Sequence, residues 1–304
     1  MSSSTPAIET FDLTKLYGRL VAVDHLTLTV ERGEIFGFLG PNGSGKTTTM
    51  RMLLGLARPT SGMARVLGMD VETRLPEILR HTGSLIENPT FYPFLCGRDN
   101  LKVVRDLTGA APSRIDAVLD LVEMRGAANR RFSEYSLGMK QRIGVASALL
   151  TDPEILILDE PANGLDPAGI VEMRGLMQRV RDQGHTVFVS SHVLHEIEQV
   201  CDRIAILNRG KVVAQGGVQQ LLGQADRIEI QIDRPEEAMA VIEPLAWVEG
   251  VTVEENLLVV NAPVNRSAEL NEILARKDLF ASMIRPRQES LERYFLELTG
   301  AAAA

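Results

Sequence analysis

The chain has 304 residues, 45% hydrophobic and 24% charged, enough apolar material to bury a core in two domains or one large one. Its formal net charge of −8 argues against a nucleic-acid binder that works through a general basic field. No run of about 18 apolar residues occurs, and Met1-Ser2-Ser3-Ser4-Thr5-Pro6 lacks a basic stretch followed by an apolar one, so neither a membrane span nor a secretory leader is expected.

Residues 8–40 read as strands, with Leu20 to Val30 apolar-rich, Arg32-Gly33-Glu34 a turn and Ile35 to Leu39 a short buried run. A glycine-rich loop follows, then a helix to about Leu56, and Gly83-Ser84-Leu85-Ile86 is a further strand. Tyr92 to Leu150 is mostly helical, and strands resume at Ile155–Leu158, Thr186–Ser190 and Arg203–Leu207 with helical stretches between them. That alternation predicts an α/β fold, a parallel sheet with helices on its faces. Gly216-Gly217 and Gly223 punctuate a boundary near 220–226. From Asp226 onward there are 15 acidic and 8 basic residues, so nearly all the net charge lies beyond that boundary.

The tail has its own rhythm. Arg227 to Asp233 alternates polar and apolar as a half-buried strand does, Pro235 opens a helix to about Glu243, Trp247–Val253 and Asn256–Val260 read as a hairpin, Ser267–Ala275 is helical and Leu279–Ile284 is extended. The order β-α-β-β-α-β is the split βαβ, or ferredoxin-like, arrangement of a small α+β domain. A last helix is expected from Glu289 to Leu298, with Leu291, Tyr294, Phe295 and Leu298 on one face.

Gly40-Pro41-Asn42-Gly43-Ser44-Gly45-Lys46-Thr47 matches G-x-x-x-x-G-K-[ST] and lies between a predicted strand and a predicted helix. Its glycines let successive backbone N–H groups turn toward phosphate oxygens, the following helix aims its positive end at the same anion, and Thr48 extends that helix start. Lys46 suits the β- and γ-phosphates of ATP and the Thr47 hydroxyl suits Mg²⁺. Ile155 to Leu158 forms a buried strand that delivers Asp159-Glu160-Pro161 at its carboxyl end, where ligands of open α/β sheets bind. Asp159 is the second Mg²⁺ candidate, and Glu160 the general base for the attacking water.

Tyr135-Ser136-Leu137-Gly138-Met139-Lys140-Gln141-Arg142 resembles the signature motif of ATP-binding cassette (ABC) proteins. Asn163-Gly164-Leu165-Asp166 resembles their D-loop, His192 in Ser190-Ser191-His192 their switch histidine, and Tyr17 their adenine-stacking aromatic. The resemblance covers about residues 5–220 and implies a P-loop NTPase cassette, a mixed-sheet core plus a helical subdomain at about 88–145. The domains expected are a cassette over 1–222 and an accessory domain over 226–300. It further implies a head-to-tail pair of cassettes that sandwich ATP between the P-loop of one and Ser136 and Gly138 of the other, with His192 on the γ-phosphate and Asp166 coupling the two sites. The second cassette is expected to be an identical chain.

Two positions depart from the family pattern. The signature lacks its first glycine and its glutamine. Where the family has a Mg²⁺-contacting glutamine after the strand at Gly83–Ile86, this chain has Glu87, a charged and harder ligand. Glu87 with this signature resembles the subgroup that exports bacitracin, lantibiotics and similar drugs, unless the change is a conservative swap without substrate meaning. The tail resembles the extra domain of daunorubicin/bacitracin-type cassettes and is expected to stabilise a dimer or dock a partner rather than sense a ligand.

The expectation is therefore an ATPase that powers a separate transmembrane permease from the cytoplasmic face of the membrane, exporting drugs, peptides or other amphiphiles. No nucleic acid and no prosthetic group are expected. A soluble cassette remodelling another target is the alternative, disfavoured because the Thr48 to Glu134 interval leaves no room for a coiled-coil or zinc insertion. His192 and His195 share a helix spacing but have no third ligand in the sequence, His25, His81 and His185 read as surface or loop residues, and Cys96 and Cys201 read as reduced thiols.

Overall fold

The computed structural model describes residues 5–87, 89–221, 227–254 and 257–287, which fall into two compact units meeting in sequence at Val218 and Gln219. The helix expected at Glu289–Leu298 lies outside the described residues.

The first unit begins with β1 (Ile8–Tyr17), β2 (Leu20–Val30) and β3 (Ile35–Leu39), then α1 (Lys46–Leu53), β4 (Ser61–Val66), β5 (Met69–Asp70), α2 (Val71–Arg80) and β6 (Thr82–Leu85). Next come α3 (Gly97–Thr108), α4 (Arg114–Leu121) and α5 (Leu137–Ala148), the predicted helical stretch. The chain returns through β7 (Ile155–Asp159), α6 (Pro167–Asp182), β8 (Thr186–Ser191), α7 (Leu194–Glu198), β9 (Arg203–Asn208) and β10 (Lys211–Gly217), and the short α8 (Val218–Leu221) runs across the junction of the two units in sequence. Four strands form an antiparallel sheet in the order β2-β1-β4-β5, and six form the central sheet β10-β9-β3-β8-β7-β6. The central sheet is parallel from β9 to β6, with β10 antiparallel at its edge.

Three aromatic rings lock the central strands. Phe36 lies in register with Phe188, their rings stacked at 5.8 Å and 17°, and Phe38 sits 5.2 Å from Phe188 on the same face. That face continues through Ile155 and Ile157 and packs against Met50, Met52 and Leu53 of α1 and the inner residues of the antiparallel sheet. A side-chain period of two makes any one-residue slip bring polar positions into this core, so the register is fixed by burial.

Element ends differ from expectation for local reasons. Helix α1 stops at Leu53, not Leu56, because Gly55 at φ +67° turns the chain and the Leu56 and Ala57 N–H groups fold back onto the Arg51 carbonyl. His185 lies in the loop before β8, as the surface-or-loop reading allows, and is buried there, with Nδ1 2.6 Å from the Pro153 carbonyl.

In the second unit β11 (Arg227–Ile232), α9 (Pro235–Ile242), β12 (Gly250–Glu254), β13 (Leu257–Asn261), α10 (Ser267–Ala275) and β14 (Ala281–Pro286) follow the predicted β-α-β-β-α-β order. The sheet runs β12-β13-β11-β14 with every neighbour antiparallel, so the two strands joined through α9 are parallel to each other and split by β13. That is the ferredoxin-like topology. Strand β12 begins at Gly250 and not at Trp247, because Leu245 and Val248 spend their N–H groups in turns after α9; Trp247 is half-buried with Arg266 5.0 Å from its ring. Strand β14 begins two residues later than expected, since the Leu279 N–H bonds back to Leu274.

Phe188→Ala should remove the ring held between Phe36 and Phe38 and cost about 3–5 kcal/mol. Urea unfolding followed by tertiary-structure signals measures this; an unmoved midpoint would contradict the core assignment.

Candidate active site

The parallel register brings the chemistry to one edge. Leu39 aligns with Ser191, Asp159 with Ser190, and Leu85 with Leu158, so the chain leaves β3, β8, β7 and β6 side by side. The glycine-rich loop follows β3 there. Gly40 at φ +153° passes so close that a Cβ would lie 2.4 Å from the Leu207 carbonyl oxygen, and Gly45 at φ +110° would put one 2.5 Å from that of Ala22. Only glycine supplies that conformation in that space. Ser44 Oγ is buried without a hydrogen-bond partner among the described residues.

Lys46, 4% exposed, is held by the chain itself: Nζ donates to the Gly40 carbonyl at 2.7 Å and the Pro41 carbonyl at 3.3 Å, and lies 3.3 Å from Glu160 Oε1. The Thr47 hydroxyl donates to Asp159 Oδ2 at 2.7 Å. The other Asp159 oxygen accepts from Ser190 Oγ at 2.5 Å, and that same hydroxyl accepts from the Glu160 N–H at 2.9 Å. Glu160 sits at φ +49°, outside the strand that ends at Asp159, and its Oε2 lies 3.0 Å from His192 Nδ1. One carboxylate thus faces a hydroxyl pair, and the next faces an ammonium and an imidazole.

Tyr17, Asn42, Gly43, Gly45, Lys46, Thr47, Thr48 and Glu160 line a single open cleft. Lys15 lies 4.9 Å from the Tyr17 ring, leaving it about half exposed at the cleft mouth. Pro41 is exposed on the same loop.

Ser136, Gly138 and Asp166 line a second recess that shares no residue with the first. Ser136 caps α5, its Oγ accepting from the Met139 N–H at 3.3 Å, and Asp166 caps α6 by accepting from Gly169 at 2.8 Å. Both helix starts therefore open into one recess, with the side chain of Leu137 exposed beside them. Within one chain the two groups of site residues line different recesses. The structure pairs Glu87, at φ +64°, with Arg51 of α1 and not with Thr47 or Asp159.

Sequence reasoning overlooked Ser190, whose signal was a hydroxyl closing the apolar run Val187-Phe188-Val189. It also overlooked Arg51, one helical turn beyond Thr47. Burial pushes the Glu196 carboxyl above the usual range, against the opposing pull of His192 and Arg174, and Glu196 shares a recess with His192 and Glu160.

Ser190→Ala should leave a buried carboxylate oxygen and the Glu160 N–H unpaired and cost about 1–3 kcal/mol in denaturant unfolding. A loss near zero would show that this hydroxyl does not organise the acidic pair.

Comparison with known proteins bears on the family and the fold. The family model described as ABC transporter matches residues 23–163. The bacitracin transport ATP-binding protein BcrA of Bacillus licheniformis is 40% identical over 297 residues, covering 96% of this chain and 97% of the relative. The lantibiotic transport ATP-binding protein SrtF of Streptococcus pyogenes is 39% identical over 204 residues, 67% of this chain and 88% of that one. Among solved structures, the ATP-binding subunit of an ABC transporter aligns with a TM-score of 0.63 at 27% identity, over 71% of this chain and 91% of that one. A dimeric ATP-binding cassette in a post-hydrolysis state with ADP and phosphate aligns with a TM-score of 0.63 at 25% identity, over 70% of this chain and 99% of that one. With a relative of that identity along nearly its whole length, the chain belongs to the family of ABC transporter ATP-binding proteins.

Proposed function

We propose that this protein hydrolyses ATP to ADP and phosphate and so powers a separate transmembrane permease that exports drugs, peptides or other amphiphiles. The observation that carries the reading is the convergence of Lys46, Thr47, Asp159, Glu160 and His192 at one sheet edge. The names of BcrA, a bacitracin transport ATP-binding protein, and SrtF, a lantibiotic transport ATP-binding protein, support the cargo class.

The residues fit a nucleotide and a hard cation. Ser44 Oγ lacks a partner among the described residues, the loop leads into the N-terminus of α1 at Lys46 and Thr47, and Thr47 and Asp159 offer oxygen atoms already 2.7 Å apart. A magnesium ion bound with the nucleotide would supply positive charge to neutralise the phosphates. Thr47 and Asp159 would hold it, with Glu87 as the third candidate. Lys46 exchanges the Gly40 and Pro41 carbonyls and Glu160 for phosphate oxygens. Tyr17 offers its exposed face to the purine. Glu160, released from Lys46, accepts the proton of the attacking water at a carboxylate oxygen. His192 lies against the other oxygen of Glu160, and its role at the terminal phosphate is what the resemblance to the family's switch histidine implies.

Ser136, Gly138 and Asp166 serve the partner cassette, a second copy of this chain, so that each site is completed across the interface. No helix among the described residues is long and apolar enough to cross a membrane, so attachment to the cytoplasmic face of the membrane runs through the permease. In this reading residues 1–222 are the cassette, with a helical subdomain at about 88–145 for the permease contact, and 226–300 an accessory domain for dimer or partner docking.

Lys46→Ala should lose nucleotide affinity about tenfold or more, a change of ~1.4 kcal/mol or above. Glu160→Gln should keep ATP binding within about twofold while turnover falls about 10²–10⁴-fold. Hydrolysis by Glu160→Gln at the parent rate would remove the general-base role. Affinity capture of tagged Glu160→Gln protein from membranes with ATP and Mg²⁺ tests the partner: a multi-span membrane protein is expected. Recovery of ribosomes, nucleic acid or soluble protein alone would overturn the transport reading.

A further inference from the structure

The Arg51–Glu87 ion pair lies next to the cation donors yet is separate from them. Arg51 follows Thr47 by four residues on α1, which puts both on one helix face, one turn apart. Both are half-buried on that face, while Thr49 and Met50 are buried behind them. Glu87 leaves the end of β6, and the Leu85–Leu158 register sets that exit beside Asp159. The Glu87 carboxylate contacts the Arg51 guanidinium. A divalent cation held by Thr47 and Asp159 would be a second positive partner, level with the helix position one turn before Arg51.

We propose that Arg51 is a positioning residue that holds Glu87 off the cation site, so that cation arrival with nucleotide draws Glu87 one helical turn along α1 and moves the chain following β6. The pair depends on charge. An uncharged amide at this position would lose the Coulomb attraction to Arg51, whereas a carboxylate is attracted by both the guanidinium and the cation. Because the Glu87 side chain is 63% exposed and that of Arg51 40%, their contact is weak enough to exchange. This rests on the nucleotide reading above and adds to it a competition specific to the Arg51 and Glu87 pairing.

The test measures ATP binding by equilibrium dialysis in the Glu160→Gln protein, with excess Mg²⁺ and with EDTA, and takes the ratio of the two affinities. Arg51→Ala should raise that ratio about two- to fivefold. Added to Glu87→Gln it should leave the ratio unchanged, and Arg51→Lys, which keeps the charge, should stay near the parent value. An equal rise with and without Glu87→Gln would mean that Arg51 repels the cation directly and would overturn the latch. So would a ratio that Arg51→Ala leaves unmoved or lowers. Loss of Mg²⁺-dependent ATP binding in the starting protein itself would instead overturn the nucleotide reading, and the latch with it.

Discussion

The site depends on one constraint: strands β3, β8, β7 and β6 run parallel and in register, so their carboxyl ends open on a single edge. The Phe36, Phe38 and Phe188 rings, packed on one face, hold the register of β3 against β8. Burial on one face fixes chemistry at the end, because each strand delivers its next residue at the same height. The loop after β3 leads into Lys46 and Thr47 at the start of α1, β7 and the residue after it supply Asp159 and Glu160, β8 supplies Ser190 with His192 just beyond it, and the chain after β6 supplies Glu87. Helices on the faces keep this edge open to ligand, as open α/β sheets do.

The arrangement at that edge is electrostatically self-satisfied. A buried lysine needs compensation, and here two carbonyls and the Glu160 carboxylate provide it. In the mechanism proposed above, the same ion pair holds Glu160, the proposed general base, in reserve. Nucleotide phosphates would then substitute for protein groups around Lys46 instead of creating a new buried charge, and Glu160 would become available when the lysine is taken. Ser190 gives this exchange a fixed frame, tying the Asp159 carboxylate to the Glu160 backbone so that the side chain of Glu160 can change partner while its main chain stays.

What was legible in the sequence followed from restrictive chemistry. The P-loop glycines, Asp159 and Glu160 after four apolar residues, and Ser136 before a helix are residue types that few other contexts require together. The tail's strand and helix order was legible from alternation and from Pro235. Strands that exist through their partners were not: Ser61–Val66 holds serine, glycine, alanine and arginine, poor strand formers, and is a strand because it pairs with β1. Lys211–Gly217 is likewise an edge strand set by β9. Ser190 and Arg51 went unread because their roles lie in contacts 31 and 36 residues away in sequence, which no local pattern carries. Glu87 was legible as a departure, but its present partner was not.

The recess bearing Ser136, Gly138 and Asp166 gives the account its central claim, that one chain carries two halves of different sites and a complete site needs two chains. A helix start aimed at solvent beside exposed Leu137 is suited to an anion held by another molecule. Closing two such halves on ATP and opening them after hydrolysis would convert chemistry into movement of an attached permease. Sedimentation velocity of the Glu160→Gln protein, with and without ATP and Mg²⁺, tests this most directly. The account predicts ATP-dependent conversion of the 33.4 kDa chain to a species of about twice that mass. A chain that stays monomeric with ATP bound, while the parent hydrolyses at a rate per chain independent of concentration, would contradict it.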